Sequence, residues 1–533
     1  MLKKWLLPLA LLVVFGVSQA VPGNAQEPIT YPGNINDTVE EQEFTVSLKE
    51  NNGAVITAIA QNGDLDTVLE VFSPRGELVA SNDDGFPGST DSRVAFMAHE
   101  DGLYQVHVTR FDTSTSGSYT LEITVGDVSL LDYAVDLTGT ALTRDSEHFR
   151  YHYTLSGADA VQMDFLDAIE VAFEFSWRSE VEKLGWPAPP TDDAMGGNSL
   201  YDVYVINLIG TADDALGFTS PEMFVHDNPN TPEEESYAAT SYIAIDNDFN
   251  DLEFGENQDE VSVMRATAVH EFHHAIQFGF DGAEPHSWLA EASAAWMETV
   301  AAGKDQDGTG YVETAFEYPE LCFGTTAEDS SIMYGEWPFL QFLTDEFGDD
   351  AVYKLWQAIA DYEGFEALNH LLESYGTDVP HEVARYRLNN LARNYRLAPL
   401  FHATVWLENT ITGTGVWTYG DNGNGVQEMG ANYFDFDARA GVYDLELTGD
   451  DKKLELWAIG LTEDGMDAID LGRGGGIDNR NYERMYLMVF NPVYDNNVDE
   501  CEYTDYQIEV ANGKGTTNPV DHVISRTYFE PLD

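Results

Sequence analysis

The hydrophobic period of this chain changes twice, and that limits it to a small set of architectures. Residues 30–126 hold short alternating runs, Glu43–Leu48, Ala54–Ala60, Thr67–Phe72, Leu103–Thr109 and Ser118–Val125, parted by turn residues. Such spacing predicts an all-β sandwich. From about residue 145 the pattern is mixed. Phe165–Leu184 reads as a helix broken by Gly185-Trp186-Pro187, Tyr201–Leu208 and Ser241–Asp246 read as strands, and two further helices follow. Beyond 400 alternation returns in Tyr443–Leu447, Leu454–Ile459, Met485–Phe490 and Tyr506–Val510. At 533 residues the chain exceeds what one core supports. The expected architecture is multidomain: an N-terminal β-sandwich over 30–126, a central α+β domain over 140–400, and a β-rich C-terminal domain over 401–533. Asp505-Tyr506-Gln507-Ile508-Glu509-Val510 echoes Ser118-Tyr119-Thr120-Leu121-Glu122-Ile123, so the last domain reads as a second sandwich, a divergent copy of the first.

Composition excludes several functions. A hydrophobic content of 43%, with 28 Phe, 27 Tyr and 10 Trp, is incompatible with a disordered polymer. The chain carries 94 acidic against 25 basic residues, a formal net charge of −69. A field of that sign repels nucleic acid and anionic membranes and suits a salty or calcium-containing exterior. Lys3 and Lys4 precede the apolar run Trp5–Val17, and small-residue cleavage sites follow at Ser18-Gln19-Ala20 and Gly23-Asn24-Ala25. Residues 1–25 therefore read as a signal peptide and the remainder as a secreted protein without a membrane span. Cys322 and Cys501 either pair or stay free; neither has the neighbouring cysteine that a zinc role requires.

The chemistry concentrates in His270-Glu271-Phe272-His273-His274, an H-E-x-x-H motif. After Asp259, residues Val261, Met264, Ala268, Phe272 and Ala275 form one apolar helical stripe, and Gly279 ends it. His270 and His274 fall on the opposite side, four apart and parallel, so both imidazoles can grip one metal ion. A catalytic zinc takes three protein ligands and leaves one position open. Glu291, on a second helix with Ser287 as its cap and Gly303 as its end, is the expected third ligand, in the first turn beside the chain reversal at Asp281–Pro285. Glu298 shares its face and is expected behind the ligands or in solvent. His273 and His286 are alternative ligands. A surface helix with solvated histidines is the competing reading. Glu271 lies beside the metal, positioned as a general base. Tyr334 either donates a hydrogen bond to a developing oxyanion or packs. Asp305-Gln306-Asp307-Gly308-Thr309-Gly310 reads as a short calcium loop or a polar turn.

Two resemblances sharpen these expectations. Asp64-Leu65-Asp66-Thr67, Asn82-Asp83-Asp84-Gly85 and Gly117-Ser118-Tyr119 resemble the bacterial pre-peptidase C-terminal domain, a jelly-roll-like accessory module of secreted peptidases. Some of its relatives bind calcium, which makes Asp66, Asp83 and Asp84 candidate ligands. Residues 145–400 resemble secreted bacterial zinc metalloproteases of the gluzincin type. The resemblance is carried by Glu147-His148-Phe149-Arg150-Tyr151-His152-Tyr153, Tyr201-Asp202-Val203-Tyr204, Ser241–Asp248, His270–Phe278 and Trp288–Glu298. It implies a zincin-like catalytic domain, with His270, His274 and Glu291 as Zn2+ ligands and Glu271 as the base. It also implies a protein or peptide substrate hydrolysed by a zinc-activated water. Ser241–Asp246 is the candidate exposed edge strand for pairing with substrate backbone. Position 295, four after Glu291, is alanine where thermolysin-like gluzincins carry an acid, so the support of the metal ligands must differ. The rival reading is a secreted adhesion or binding protein whose peptidase-like centre is inactive.

Overall fold

A computed structural model describes residues 28–525 except 37, 40, 51, 64, 77, 83–90, 99, 112–114, 127–134, 136, 193–194, 211–214, 233, 251–258, 304–307, 326–330, 398, 400–401, 420–424, 450–452, 463–464, 495–497, 499–500 and 516–521. Residues 1–25, read as a signal peptide, Asp83, Asp84 and the start of the 305–310 loop lie outside the described residues. Two compact units divide the chain, one of residues 1–264 and 275–283, the other of 265–274 and 284–533.

The first unit opens with eight strands: β1 (Ile29–Ile35), β2 (Gln42–Leu48), β3 (Gly53–Gly63), β4 (Thr67–Phe72), β5 (Leu78–Asn82), β6 (Ser92–Met97), β7 (Gly102–Arg110) and β8 (Gly117–Gly126). They form two antiparallel four-stranded sheets, ordered β1-β8-β3-β6 and β2-β7-β4-β5. Alternate residues turn inward, so Ile56 and Leu121 of one sheet and Leu69 and Val106 of the other share one core. Asp66 precedes β4, half-buried, and belongs to none of the close donor groups found among the described residues.

The same unit continues through β9 (Leu142–Asp145), β10 (Phe149–Tyr153), helix α1 (Met163–Trp177), β11 (Tyr201–Ile206), β12 (Gly217–His226) and β13 (Ala238–Asp246). A π-type turn carries α1 on to Leu184, and Gly185, at φ 81°, ends it. The five strands form a mixed sheet in the order β12-β13-β11-β10-β9, parallel at β10/β11 and β11/β13 and antiparallel at both edges. Ser241–Asp246 is therefore not an edge. It lies within β13, paired on both sides and buried at every position. The antiparallel edge beside it is β12, where Pro221 adjoins a register shift; proline lacks the amide that a central strand must donate. At the end of β13 the buried Asp246 carboxylate accepts four backbone amides. Oδ2 takes those of Leu208 (2.8 Å) and Ile209 (2.9 Å), and Oδ1 those of Asp248 (3.0 Å) and Phe249 (2.7 Å).

Helix α2 (Glu260–Phe278) is followed by α3 (Ser287–Met297), α4 (Thr309–Glu317), α5 (Ser331–Gly335) and α6 (Trp337–Phe347), then by helices at Ala351–Ile359, Gly364–Tyr375 and Val379–Ala392. No described helix is long and apolar enough to cross a membrane. The C-terminal strands build a six-stranded sheet and a four-stranded one. The two share a core in which Phe434, Leu456 and Leu487 meet Leu445, Ile477 and Ile508. Gln507–Asn512, which carries most of the echoed motif, sits between Gly415–Trp417 and Val442–Thr448, much as β8 sits between β1 and β3. The likeness stops there, because the partner sheet has six strands and a parallel pair, Leu407–Ile411 with Ala431–Phe436. Cys322 and Cys501 are disulfide-bonded, with Cα atoms 6.2 Å apart. A buried ion pair, Arg387 to Glu336 at 3.2 Å, is completed by the Tyr386 hydroxyl on Glu336 (2.7 Å) and by the Met429 carbonyl accepting from Arg387 Nε (3.3 Å).

Candidate metal centre

Helix α2 starts where the sequence places it. Asp259 accepts the Ser262 amide at 2.9 Å while Ser262 Oγ accepts that of Asp259 at 2.8 Å, a reciprocal cap. Gly279 ends the helix at φ −71°, so the left-handed conformation is not the reason for glycine there. A Cβ would lie 2.7 Å from Asn228 Nδ2 and 3.0 Å from the Ile276 carbonyl. The apolar stripe is only part of the buried surface. Val261, at its start, is 38% exposed, whereas every residue from Ala266 to Gln277 is buried. His270 at 9%, Glu271 at 6% and His274 at 8% exposure cannot be solvated surface residues. Polar groups buried this far need partners, and those of the two histidines come from α3 and the turn that continues it.

Ser287 is the first residue of α3, not its cap, and Glu291 is the fifth. Glu291 Oε2 lies 3.0 Å from His270 Nε2 and 3.4 Å from His274 Nε2, and the two rings meet edge to face at 4.7 Å between centroids. One donor atom from each of the three residues lies within 4.8 Å of the other two. Zinc bonds of 2.0–2.1 Å in a tetrahedron set neighbouring donors about 3.3 Å apart, and the two separations would suit a shared ion. The borderline nitrogen and hard oxygen donors also suit zinc.

The His270 ring is held from both ends. Nδ1 donates to Glu298 Oε1 at 2.8 Å. A carboxylate only accepts, so the proton of a neutral His270 sits on Nδ1 and the Nε2 lone pair faces Glu291. Glu298 is 3% exposed and opens a π-type turn, Glu298–Ala302, that continues α3 to Gly303. Its other oxygen accepts the Gly308 amide at 3.0 Å, and the Gly308 carbonyl accepts Trp337 Nε1–H at 2.7 Å. The site thus includes Glu298, Gly308 and Trp337, two of which the motif does not hint at. The shared face of Glu291 and Glu298 was the one available signal.

Charges follow this arrangement. Burial opposes protonation of His270, but hydrogen bonds to Glu291 and Glu298 outweigh it and raise its pKa well above the ordinary value. His274 is raised less, again against burial, chiefly by Glu291. Burial works to raise the Glu291 carboxyl, yet the charges of His274 and His270 hold it far below the usual range. His273, fully buried, is pushed well below its ordinary value by burial and then by His274 and His270, so it stays neutral. It lies outside the cluster, and so does His286, whose Nδ1 meets Glu284 at 2.5 Å. Tyr334 does reach the site: its ring stacks on His270 at 5.9 Å, and Tyr311 stacks behind it at 4.8 Å. Burial, then the charge of Glu291, raises its pKa, so it remains a donor. The charge of Glu271 acts on both His274 and Tyr334.

No family model matches the chain, and no curated protein matches it either. Solved structures give low-scoring likenesses. The pre-peptidase C-terminal domain of a collagenase from Bacillus anthracis is 15% identical, covering 18% of this chain and 88% of its own, at a TM-score of 0.16. PliG of Aeromonas hydrophila, a periplasmic inhibitor of g-type lysozyme, is 14% identical over 19% and 84%, at 0.14. A conserved Bacillus anthracis protein of unknown function is 9% identical over 84% and 92%, at 0.25. Scores this low carry no inference about the chain.

Proposed function

We propose that this chain is a secreted zinc-dependent peptidase. The observation that carries the reading is the convergence of His270 Nε2, His274 Nε2 and Glu291 Oε2 at separations suited to one tetrahedral ion. Zinc, when bound, makes water a nucleophile near neutral pH and polarises the scissile carbonyl. Glu271 follows His270 directly on the helix and is buried; it takes the proton from water and returns it to the leaving amine. Tyr334, kept protonated, offers a hydrogen bond to the oxygen that gains charge. His270 and His274 serve as ligands rather than acids: His270 Nδ1 is taken up by Glu298, and the Nε2 atoms of both rings face the Glu291 carboxylate across the place of the ion. The Lys3-Lys4 leader and the Cys322–Cys501 bond support export to an oxidising compartment.

The test is zinc content by atomic absorption together with cleavage of casein, with and without a chelator. One zinc per chain and chelator-sensitive cleavage are expected. Zinc-free protein removes the proposal. Zinc-loaded protein that cleaves nothing leaves the rival reading, a binding protein built on its β domains.

A further inference from the structure

We infer that Glu298 is the positioning residue for His270, and that a chain of hydrogen bonds running from Trp337 through Gly308 to Glu298 sets the affinity of the centre for zinc. The inference rests on the metal-binding half of the reading above. Three contacts define the chain: Trp337 Nε1–H to the Gly308 carbonyl, Gly308 N–H to Glu298 Oε2, and His270 Nδ1–H to Glu298 Oε1. Every group in it is buried. Both oxygens of Glu298 accept, so glutamine, with one acceptor and one donor, can serve Gly308 or His270 but not both. Position 308 is held tightly. A Cβ on Gly308 would meet the Ala295 carbonyl at 3.1 Å and the Ala295 Cβ at 3.6 Å, so alanine at 295 and glycine at 308 together let the loop amide come down onto Glu298. Fixing the Nδ1 proton and the ring plane before the ion arrives is what such a partner contributes to a histidine ligand.

The experiment measures the zinc dissociation constant of the full-length protein by competition with a fluorescent chelator, and the melting temperature of the metal-free form. E298Q should bind zinc about 10–100-fold more weakly. E298D, which keeps two acceptors on a shorter stem, should fall between it and wild type. W337F keeps the ring and loses the indole donor; its smaller loss of affinity should vanish in the E298Q background, since both changes break one chain. E298Q that binds zinc like wild type overturns the inference, and so does a W337F effect that adds in full to that of E298Q. Should E298Q fail to fold, E298D and W337F decide on the same readout: unchanged affinity in both overturns it. Wild-type protein that binds zinc but cleaves nothing removes the peptidase and leaves this inference standing; wild-type protein without zinc removes both.

Discussion

Glu271 and Tyr334 flank the same histidines but should fail differently when changed. E271Q keeps the shape and loses the base, so kcat should drop by about 10²–10⁴ while zinc content stays at the wild-type level. Y334F keeps the stack on His270 and removes a donor present at every working pH. Its kcat should drop by about 10²–10³ with KM nearly unchanged. Single-turnover kinetics on zinc-loaded protein checks both, and a Y334F enzyme with wild-type kcat would return Tyr334 to packing. Glu271 and Glu291 came from the motif, the nearness of the next helix and the family resemblance; His270 and His274 were legible because helical spacing puts them on one face. Glu298 was not. Its partner Gly308 lies ten residues on, and no periodicity links an α3 carboxylate to a loop amide. Ala295 read as a missing acid; in the fold it is the small residue against which Gly308 packs.

At the scale of elements, β13 shows where sequence patterns run out. A run buried at all nine positions reads the same at the edge of a sheet or in its middle, and Pro221 was the better guide to which strand lies outside. Chain reversal at the end of β13 depends on Asp246, which no hydrophobic pattern marks. Four amides converge on its carboxylate, and the last belongs to Phe249, a non-glycine residue at φ 52°. D246N leaves one oxygen for four donors and turns an amide group toward two of them. A loss of about 3 kcal/mol is expected, read as a lower urea midpoint for the first unit. An unchanged midpoint would mean that the turn holds without the charge. By contrast, the limits of α2 were readable because Asp259 and Ser262 cap each other within four residues.

For the molecule as a whole, the sign of pH dependence can be worked out at Glu320, away from the donor cluster. Burial, reinforced by the charge of Glu408, pushes its carboxyl up from 4.5 to about 7. Below pH 4.5 the group is protonated folded or unfolded and has no effect. Between 4.5 and 7 the unfolded chain releases the proton that the folded chain keeps, so stability falls as pH rises. E320Q should match wild type at pH 4 and exceed it by about 3 kcal/mol at pH 8, two and a half pK units at 1.36 each, as read from urea midpoints; equal midpoints at pH 8 would refute the buried-acid assignment. The division into β, mixed and β segments was visible in periodicity. The pairing of Cys322 with Cys501 was not, because 179 residues separate them and only the folded chain brings their Cα atoms to 6.2 Å. That span has a consequence for biosynthesis. A polypeptide emerges N-terminus first, so all three donor residues are made, and can already find one another, long before Cys501 leaves the ribosome. A nascent chain halted short of residue 501 would hold the complete motif on a body still missing its covalent clasp.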